Sequence, residues 1–361
     1  MLSNCLKTVV SGGNLSEEES YRSMLEIISG KSSNAVIGAL LTALSIKGET
    51  VPEITGFVRA MREVSLKVYS SRKPLVDTCG TGGDTLKTFN VSTSAALIAA
   101  SCGITIAKHG NRSITSKCGG ADILEASGVN INCNPREVEF CLDNVGMGFM
   151  FAPLFHPAMK NVANVRSELA IRTIFNILGP LTSPAGADMQ LLGVFDPGYV
   201  EILAMVLKNL GVKRAMVVHG YDSSDKPAMD EISTVGKTKV ALVDKNKVEV
   251  LELCPEDFGI GRSKENHILA PDTTSANLDI INGVLNGRRT TSKEESRLNL
   301  CLVNAAAILF IANKVSCLEE GMEVALDSVD NGHAFYKLNE LIRISNGIKI
   351  INEKIKAGGN Y

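Results

Sequence analysis

Residues 1 to about 70 set apolar against polar positions at helical spacing, with capping residues at the ends of each run. "LSEEESYRSMLEIISG" opens on Ser16 and Glu19 as a capping box, places Tyr21, Met24, Leu25 and Ile28 on one face, and stops at Gly30. "SNAVIGALLTALSIKG" predicts a second helix ending at Gly48, and "VPEITGFVRAMREVSLKVY" a third, with "SSRKP" as a linker. So few helices cannot bury all their apolar faces alone, so the rest of the chain or a second subunit must cover them.

From Pro74 the period changes to short β-rich runs alternating with helices. The fold class expected is α/β: a small all-helical N-terminal domain, residues 1–72, and a large domain, residues 73–361, with a central mixed sheet flanked by helices. The candidate strands are "PLVDT", "GITIAKH", "GVNIN", "MGFMFAP", "LLGVFD", "RAMVVHG" and "KVALVD". In "NPREVEFCLDNVG", Asn134 caps a helix, Pro135 takes its first turn and Gly146 ends it. Residues 160–178 read as one long helical run that interrupts the α/β rhythm, and the helices of 160–187 are expected to pack back onto the N-terminal domain.

Composition narrows the functions available. Hydrophobic residues at 45% and charged residues at 21% exclude wholesale disorder. A net charge of -2 gives no global attraction to nucleic acid or to anionic membrane, so a polyanionic ligand needs a local cluster of donors. Nine cysteines without a Cys-x-x-Cys pair or zinc spacing read as reduced thiols of a cytoplasmic protein. No apolar stretch is long enough to span a bilayer, and the N-terminus lacks the pattern of a signal peptide.

Candidate chemistry falls in four places. "GTGGDTLKTFNVSTS" sets a glycine loop before Asn90, Ser92, Thr93 and a helix start, a geometry suited to an anion and equally to simple N-capping; it is neither Gly-x-Gly-x-x-Gly nor a Walker loop. "KHGNRSITSKCGGAD" groups Lys108, His109, Arg112 and Lys117 with small hydroxyls and glycines, the composition of an anion-binding wrap without the aromatics that stack bases. "HGYDSSDKPAMDEIS" carries Asp230 and Glu231, with Asp222 and Asp225 nearby, hard oxygen ligands that suit Mg²⁺. Arg166, on the run "NVANVRSELA", can offer a planar fork to a carboxylate across an interdomain cleft.

Taken in order, "GTGGD", "NVST", "KHGNR", "RTIFNILGPLTSPAGA" and "DEIS" closely resemble the anthranilate phosphoribosyltransferase family, over nearly the whole chain. The resemblance implies a pentosyltransferase of tryptophan biosynthesis that moves the phosphoribosyl group of 5-phospho-α-D-ribose 1-diphosphate to the amine of anthranilate and releases diphosphate. It implies a homodimer formed through the small helical domain, Mg²⁺ as cofactor, and no nucleic-acid or membrane partner. By motif, Gly80, Gly83, Asp84, Thr88, Asn90, Val91, Ser92, Thr93, Lys108, His109, Gly110, Asn111, Arg112, Ser113, Ile114, Thr115, Ser116 and Gly120 bind the phosphoribosyl diphosphate. Gly80, Asn111 and Arg166 contact anthranilate, with His109 and His156 beside its ring, and Ser92, Asp230 and Glu231 hold the metal. No dedicated general base is expected, because an aryl amine is already neutral.

Two departures stand out: Cys118 and Gly120 occupy positions where the family often has Ser or Thr, and the loop before Asp230 is longer than usual. Two rival readings remain. One is a pyrimidine nucleoside phosphorylase of the same fold, whose glycine and lysine loops read differently. The other is a non-catalytic nucleic-acid-binding relative, from which a basic surplus and lost acids are expected.

Overall fold

Four helices, α1 (Leu2–Val10), α2 (Glu17–Ile28), α3 (Asn34–Lys47) and α4 (Val51–Val64), begin the chain in a computed structural model that describes residues 1–113 and 118–356. The capping box at α2 is present: the Glu19 N–H donates to Ser16 Oγ, and Glu19 accepts from the Ser16 N–H at 2.9 Å. Glu53, fully buried, knits the bundle by accepting from the Leu15 N–H at 2.9 Å, the Thr50 N–H at 2.8 Å and Lys47 Nζ at 2.9 Å. The third predicted helix is too long by several residues, because α4 ends at Val64. Beyond it the Leu66 N–H donates to the Phe155 carbonyl and the Val68 N–H to that of Pro184, so tertiary partners replace the helical ones.

The large unit runs β1 (Leu75–Gly80), α5 (Val91–Ser101), β2 (Thr105–Gly110), α6 (Gly120–Ala126), α7 (Pro135–Val145), β3 (Met147–Phe151) and α8 (Ala152–Phe155). It continues through α9 (Ala163–Leu169), α10 (Phe175–Leu178), β4 (Met189–Gly193), α11 (Tyr199–Asn209), β5 (Arg214–Tyr221), β6 (Pro227–Met229), β7 (Thr238–Asp244) and β8 (Lys247–Leu253). Helices α12 (Glu265–Ile268), α13 (Thr274–Leu285), α14 (Ser292–Ile311), α15 (Leu318–Asp330) and α16 (His333–Lys356) close it. The sheet is mixed, as expected, in the order β3-β2-β1-β4-β5-β7-β8, with β6 paired to β5. Strands β1 to β5 run parallel to one another, whereas β6 and β7 join β5, and β8 joins β7, antiparallel.

Chain order reverses at β1, which has β2 on one side and β4 on the other. The helices on either side of such a reversal diverge and leave a crevice at the carboxyl ends of the strands. Two cores sandwich the sheet. One joins α5, α14 and α15 to one face through residues such as Leu97, Val303 and Ala325. The other runs from the opposite face through α11 into the N-terminal bundle, so Leu203 and Val206 share a core with Leu40, Ile54 and Phe57. Val162, Val165, Ile174 and Phe175 belong to that same core.

Three expectations need correcting. "GVNIN" forms no strand: Val129 and Ile131 are buried as anchors of a turn between α6 and α7, and the Asn130 N–H goes to Ser345 Oγ at 3.1 Å. The run 160–178 is not one helix, because Ala170 ends α9 in the left-handed region at φ 49° and residues 171–173 leave the helical path. Strand β8 is absent from the expected strands; its "KVEVLEL" alternates, but it lies at the sheet edge with most side chains exposed.

Gly80 and Gly193 are register partners at the ends of β1 and β4. A Cβ on Gly193 would lie 1.5 Å from the Asp230 carbonyl oxygen, and one on Gly80 2.1 Å from Asp230 Oδ2. Gly193→Ala is therefore expected to cost about 1–3 kcal/mol in urea unfolding, whereas Gly261→Ala, with nothing within 4 Å of the new methyl, should leave the midpoint nearly unchanged. Equal midpoints for the two variants would refute the close approach.

Candidate active site

The crevice between β1 and β4 opens into a cleft of ≈1050 Å³. On its floor the strand β6 delivers Asp230 and Glu231, and the glycine loop after β1 delivers Asp84; the three carboxylates each place an oxygen within 4.8 Å of the others. The Gly82 N–H donates to Asp230 Oδ2 at 2.8 Å, and Thr88 Oγ1 donates to Glu231 at 3.3 Å. Burial raises all three carboxyl groups above their ordinary range, and repulsion adds to it at Asp84, from Asp230, and at Glu231, from Asp230 and Asp84. Three hard oxygen donors whose charges oppose one another fit a divalent cation such as Mg²⁺. Asp222 and Asp225 stay outside this cluster: Asp222 caps its own turn through the Ser224 and Lys226 N–H groups, and Asp225 is exposed near Lys237.

Lys108, at the end of β2, is 2% exposed and donates to the Thr78 carbonyl at 2.7 Å and to Ser92 Oγ at 3.3 Å. Burial lowers its pKa, against the pull of Cys79, Asp77 and Glu231. Beneath it Asp77 joins the strands by accepting the His109 N–H at 3.1 Å; burial pushes this carboxyl up to about 6, opposed chiefly by Lys108. Asn90 caps α5 by accepting the Thr93 N–H at 3.2 Å, and the first turn of the helix faces the cleft through Val91 and Ser92. The structure thus gathers Gly80, Gly83, Asp84, Thr88, Asn90, Val91, Ser92, Lys108, His109, Gly110, Asn111, Arg112, Ser113 and Gly120 on one wall.

Two of the predicted residues are placed differently. Thr93 is fully buried behind the wall, where Gly120 leaves room for its hydroxyl: a Cβ there would come within 3.3 Å of Thr93 Oγ1. Arg112 lines the cleft, yet its guanidinium is engaged by Glu125 at 2.7 and 3.0 Å and by Asp122 at 3.0 Å. Ile114, Thr115, Ser116 and Lys117 lie outside the described residues.

The opposite wall carries His156 and Arg166. The rings of His109 and His156 sit 5.1 Å apart. Burial lowers the His109 pKa to about 3, helped by His156 and Lys108, and lowers that of His156 to about 4, helped by Lys67. Arg166 stacks its guanidinium 5.2 Å from the Phe175 ring centroid, and that guanidinium makes no hydrogen bond or ion pair among the described residues. Burial lowers its pKa as well.

The run "RTIFN" carries a further cleft residue, Arg172, to which no role falls from the sequence. In the structure Arg172 donates to the Gly83 carbonyl at 2.8 Å and lies 4.2 Å over the Phe195 ring, while its own carbonyl accepts Ser45 Oγ from α3 at 3.0 Å. It ties the N-terminal bundle to the glycine loop. The break after Ala170, which frees Arg172 to reach the loop, carries no glycine or proline to announce it.

Profiles for a glycosyl transferase family match almost the whole chain: its helical bundle domain over residues 3–65 and its a/b domain over residues 72–335. The anthranilate phosphoribosyltransferase of Methanothermobacter thermautotrophicus is 50% identical over 93% of this chain and 96% of its own length. That of Methanothermobacter marburgensis is 53% identical over 89% and 92%. Among solved structures, anthranilate phosphoribosyltransferase from Thermus thermophilus superposes with a TM-score of 0.87 at 37% identity, covering 95% of this chain and 99% of that one. The Saccharomyces cerevisiae enzyme in complex with PRPP and Mg gives 0.86 at 26%, covering 96% and 98%.

Both cleft histidines are held neutral, and the sign of the linkage follows. Their folded pKa values, about 3 and about 4, lie below the ordinary 6.5, so the unfolded chain takes up these protons first, and each ring weakens folding as pH falls from 6.5. The ring NMR resonances of His109 and His156 are expected to stay at their neutral positions from pH 8 down to pH 5. A titration of either ring within that range would overturn the assignment.

Proposed function

This chain belongs to the glycosyl transferase family, among the anthranilate phosphoribosyltransferases, and we propose that its cleft transfers the phosphoribosyl group of 5-phospho-α-D-ribose 1-diphosphate to the amine of anthranilate, as a step of tryptophan biosynthesis. One observation carries the reading at the level of the site: a three-acid cluster centred on the buried Asp230 and an unpaired, partly buried guanidinium share the cleft. The first suits a metal-bound diphosphate and the second a carboxylate. A substrate pair with those two groups fits both.

Asp84, Asp230 and Glu231, with Ser92 of the same cleft, are the residues to hold Mg²⁺, which when bound supplies positive charge to the leaving diphosphate. The N–H groups of the glycine loop and of the first turn of α5 face the same phosphates, and the helix dipole favours negative charge there. Breaking the C1–diphosphate bond leaves cationic character on the ribose and added negative charge on the leaving group, so donors fixed in advance hold the products of that separation more tightly than the ground state. Lys108 is anchored by Thr78 and Ser92 and sits at the junction of the two motifs.

Arg166 has a free fork for the anthranilate carboxylate, and His109 and His156 flank the place of the aromatic ring. Their lowered pKa values make both rings weak bases. That supports a reaction without a dedicated general base: the nucleophile is a neutral amine whose lone pair needs orientation, and the proton leaves after the C–N bond forms. The bundle and the sheet enclose this space together, and water kept from the ribose cannot compete as nucleophile.

We further infer a homodimer through the helical unit, supported by Val10 and Ile46, which leave 69% and 82% of their surface exposed on α1 and α3. Its place is the cytoplasm, which the nine free cysteines support; no described helix is long and apolar enough to cross a membrane.

Anthranilate fluorescence should fall when the chain meets anthranilate, phosphoribosyl diphosphate and Mg²⁺, and EDTA should stop it. Arg166→Ala should raise KM for anthranilate roughly 10- to 100-fold, the equivalent of about 1.5–3 kcal/mol, with little change in KM for the diphosphate. Equal rises for both substrates would remove Arg166 from this role. No loss of fluorescence, with phosphate-dependent release of base from uridine or thymidine, would replace the transferase by the phosphorylase reading. In sedimentation the wild-type chain should run as a dimer and Ile46→Glu as a monomer; a monomeric wild type would refute the interface.

A further inference from the structure

A second cavity, of ≈350 Å³, lies where the linker after α4 crosses the loop before β4. It shares no lining residue with the cleft. Arg62, Lys67, Ser70 and Lys73 wall it on one side, and Ser183 and Pro184 on the other. Its lining thus holds cations and hydroxyls but no acid.

The acids close by are already engaged. Asp188 pairs with Lys73 at 3.5 Å and Lys213 at 2.8 Å and accepts the Leu75 N–H at 3.0 Å. Asp143 accepts from the Ser70 hydroxyl at 2.6 Å, and Glu63 from the Tyr21 hydroxyl at 2.6 Å. Asp77, whose charge reaches Arg62, is committed to the His109 N–H.

The donors, in contrast, are underused. Arg62 gives its Nε–H to the Leu181 carbonyl at 2.8 Å, and its remaining guanidinium N–H groups form no hydrogen bond among the described residues. Burial holds the Arg62 pKa down to about 10 even with Asp77 pulling it up. Lys67 donates to the Arg62 carbonyl and, at 3.3 Å, to Ser65 Oγ, which leaves one ammonium N–H. Burial, helped by Arg62, lowers the Lys67 pKa too, against Glu63. Ser183 is 5% exposed and its hydroxyl has no partner. A guanidinium largely withdrawn from water with free N–H groups, next to an unsatisfied buried hydroxyl and with the Lys67 ammonium at the mouth of the same cavity, raises the free energy of the fold unless an anion completes the set.

We propose that this cavity is a binding site for a small phosphate-type oxyanion, either free phosphate or the phosphate of a small ester, held by the Arg62 fork, the Lys67 ammonium and the Ser183 hydroxyl. A guanidinium fork matches two oxygens of such an ion, and an ammonium supplies a point charge. The bound ion would tie the linker to the loop before β4.

The test is calorimetric titration of orthophosphate into the full chain in EDTA, with ionic strength held constant by chloride. One saturable site is expected. Lys67→Gln and Ser183→Ala should each weaken it, the first about tenfold, while Lys108→Gln, which alters the other cleft, should leave it unchanged. Lys67 is exposed, so its loss should leave the circular dichroism spectrum intact; Arg62 is left in place because its bond to Leu181 supports the fold. Glycerol 3-phosphate forms the second arm: binding with the same Lys67 dependence extends the site to phosphate esters, and orthophosphate binding alone assigns it to the free ion. The proposal is overturned by the absence of a saturable site, by Lys67→Gln binding like the wild type, or by loss of binding in Lys108→Gln.

Discussion

Everything in the cleft depends on how closely Asp230 approaches the sheet. Its backbone rests on Gly193 and its carboxylate on Gly80, the paired ends of β4 and β1. A side chain at either glycine would fill the space that Asp230 occupies. The acid can therefore reach the switch point only because two adjacent strands end in residues without a Cβ. Asn304 of α14 fixes the neighbouring backbone, accepting the Ile232 N–H at 3.1 Å and donating to the Ile232 carbonyl at 3.3 Å. The position of Glu231 then follows from its neighbours on both sides. The glycine loop closes the arrangement through the Gly82 N–H on Asp230.

This crowding works against folding and in favour of a ligand. Burial raises all three carboxylates, Asp230 adds to the rise at Asp84 and Glu231, and Lys108, buried in the same cleft, is itself lowered by burial. Neither sign is fully compensated within the protein. A glycine loop without a Walker lysine is consistent with that balance: positive charge comes from a neighbouring strand and from what the acids bind, while the loop contributes N–H groups. Arg112, which by composition belonged to the anion wrap, is held instead by Asp122 and Glu125. Its recruitment to a substrate requires those ion pairs to open.

The parts legible in the sequence were those set by local chemistry. Ser16 with Glu19, Asn134 with Pro135 and Gly146, and the strands that carry "VDTCG" and "AKHG" are all fixed by neighbours within a few residues. Thr93 could have been separated from Ser92 by the same means, since adjacent residues of a helix point to different faces, and α5 turns Ser92 to the cleft and Thr93 to the core. By motif Asp84 belongs to the substrate, and its place in the acid cluster is not legible because its partners lie almost 150 residues further on. The alternation in "GVNIN" was real but answered to burial of Val129 and Ile131, which turns and strands can satisfy equally. Strand β8 shows the converse: its exposed edge position weakens the burial signal that identifies a strand.

The break between α9 and α10 shows why a helical period can be correct in composition and wrong in path. Val162, Val165, Ile174 and Phe175 all enter the core shared by the bundle and the sheet, which is what the apolar spacing encodes. A continuous helix could also bury them, but it would carry Arg172 along its own axis and away from the glycine loop. With Ala170 in the left-handed region, Arg172 reaches the Gly83 carbonyl while its backbone remains tied to Ser45 of the bundle. Left-handed geometry at a non-glycine residue costs of order 1 kcal/mol. The stack on Phe195 and the hydrogen bonds to Gly83 and Ser45 offset that cost. The helical unit and the glycine loop are thereby coupled through one side chain, so movement of the bundle relative to the sheet alters the loop that faces the three acids.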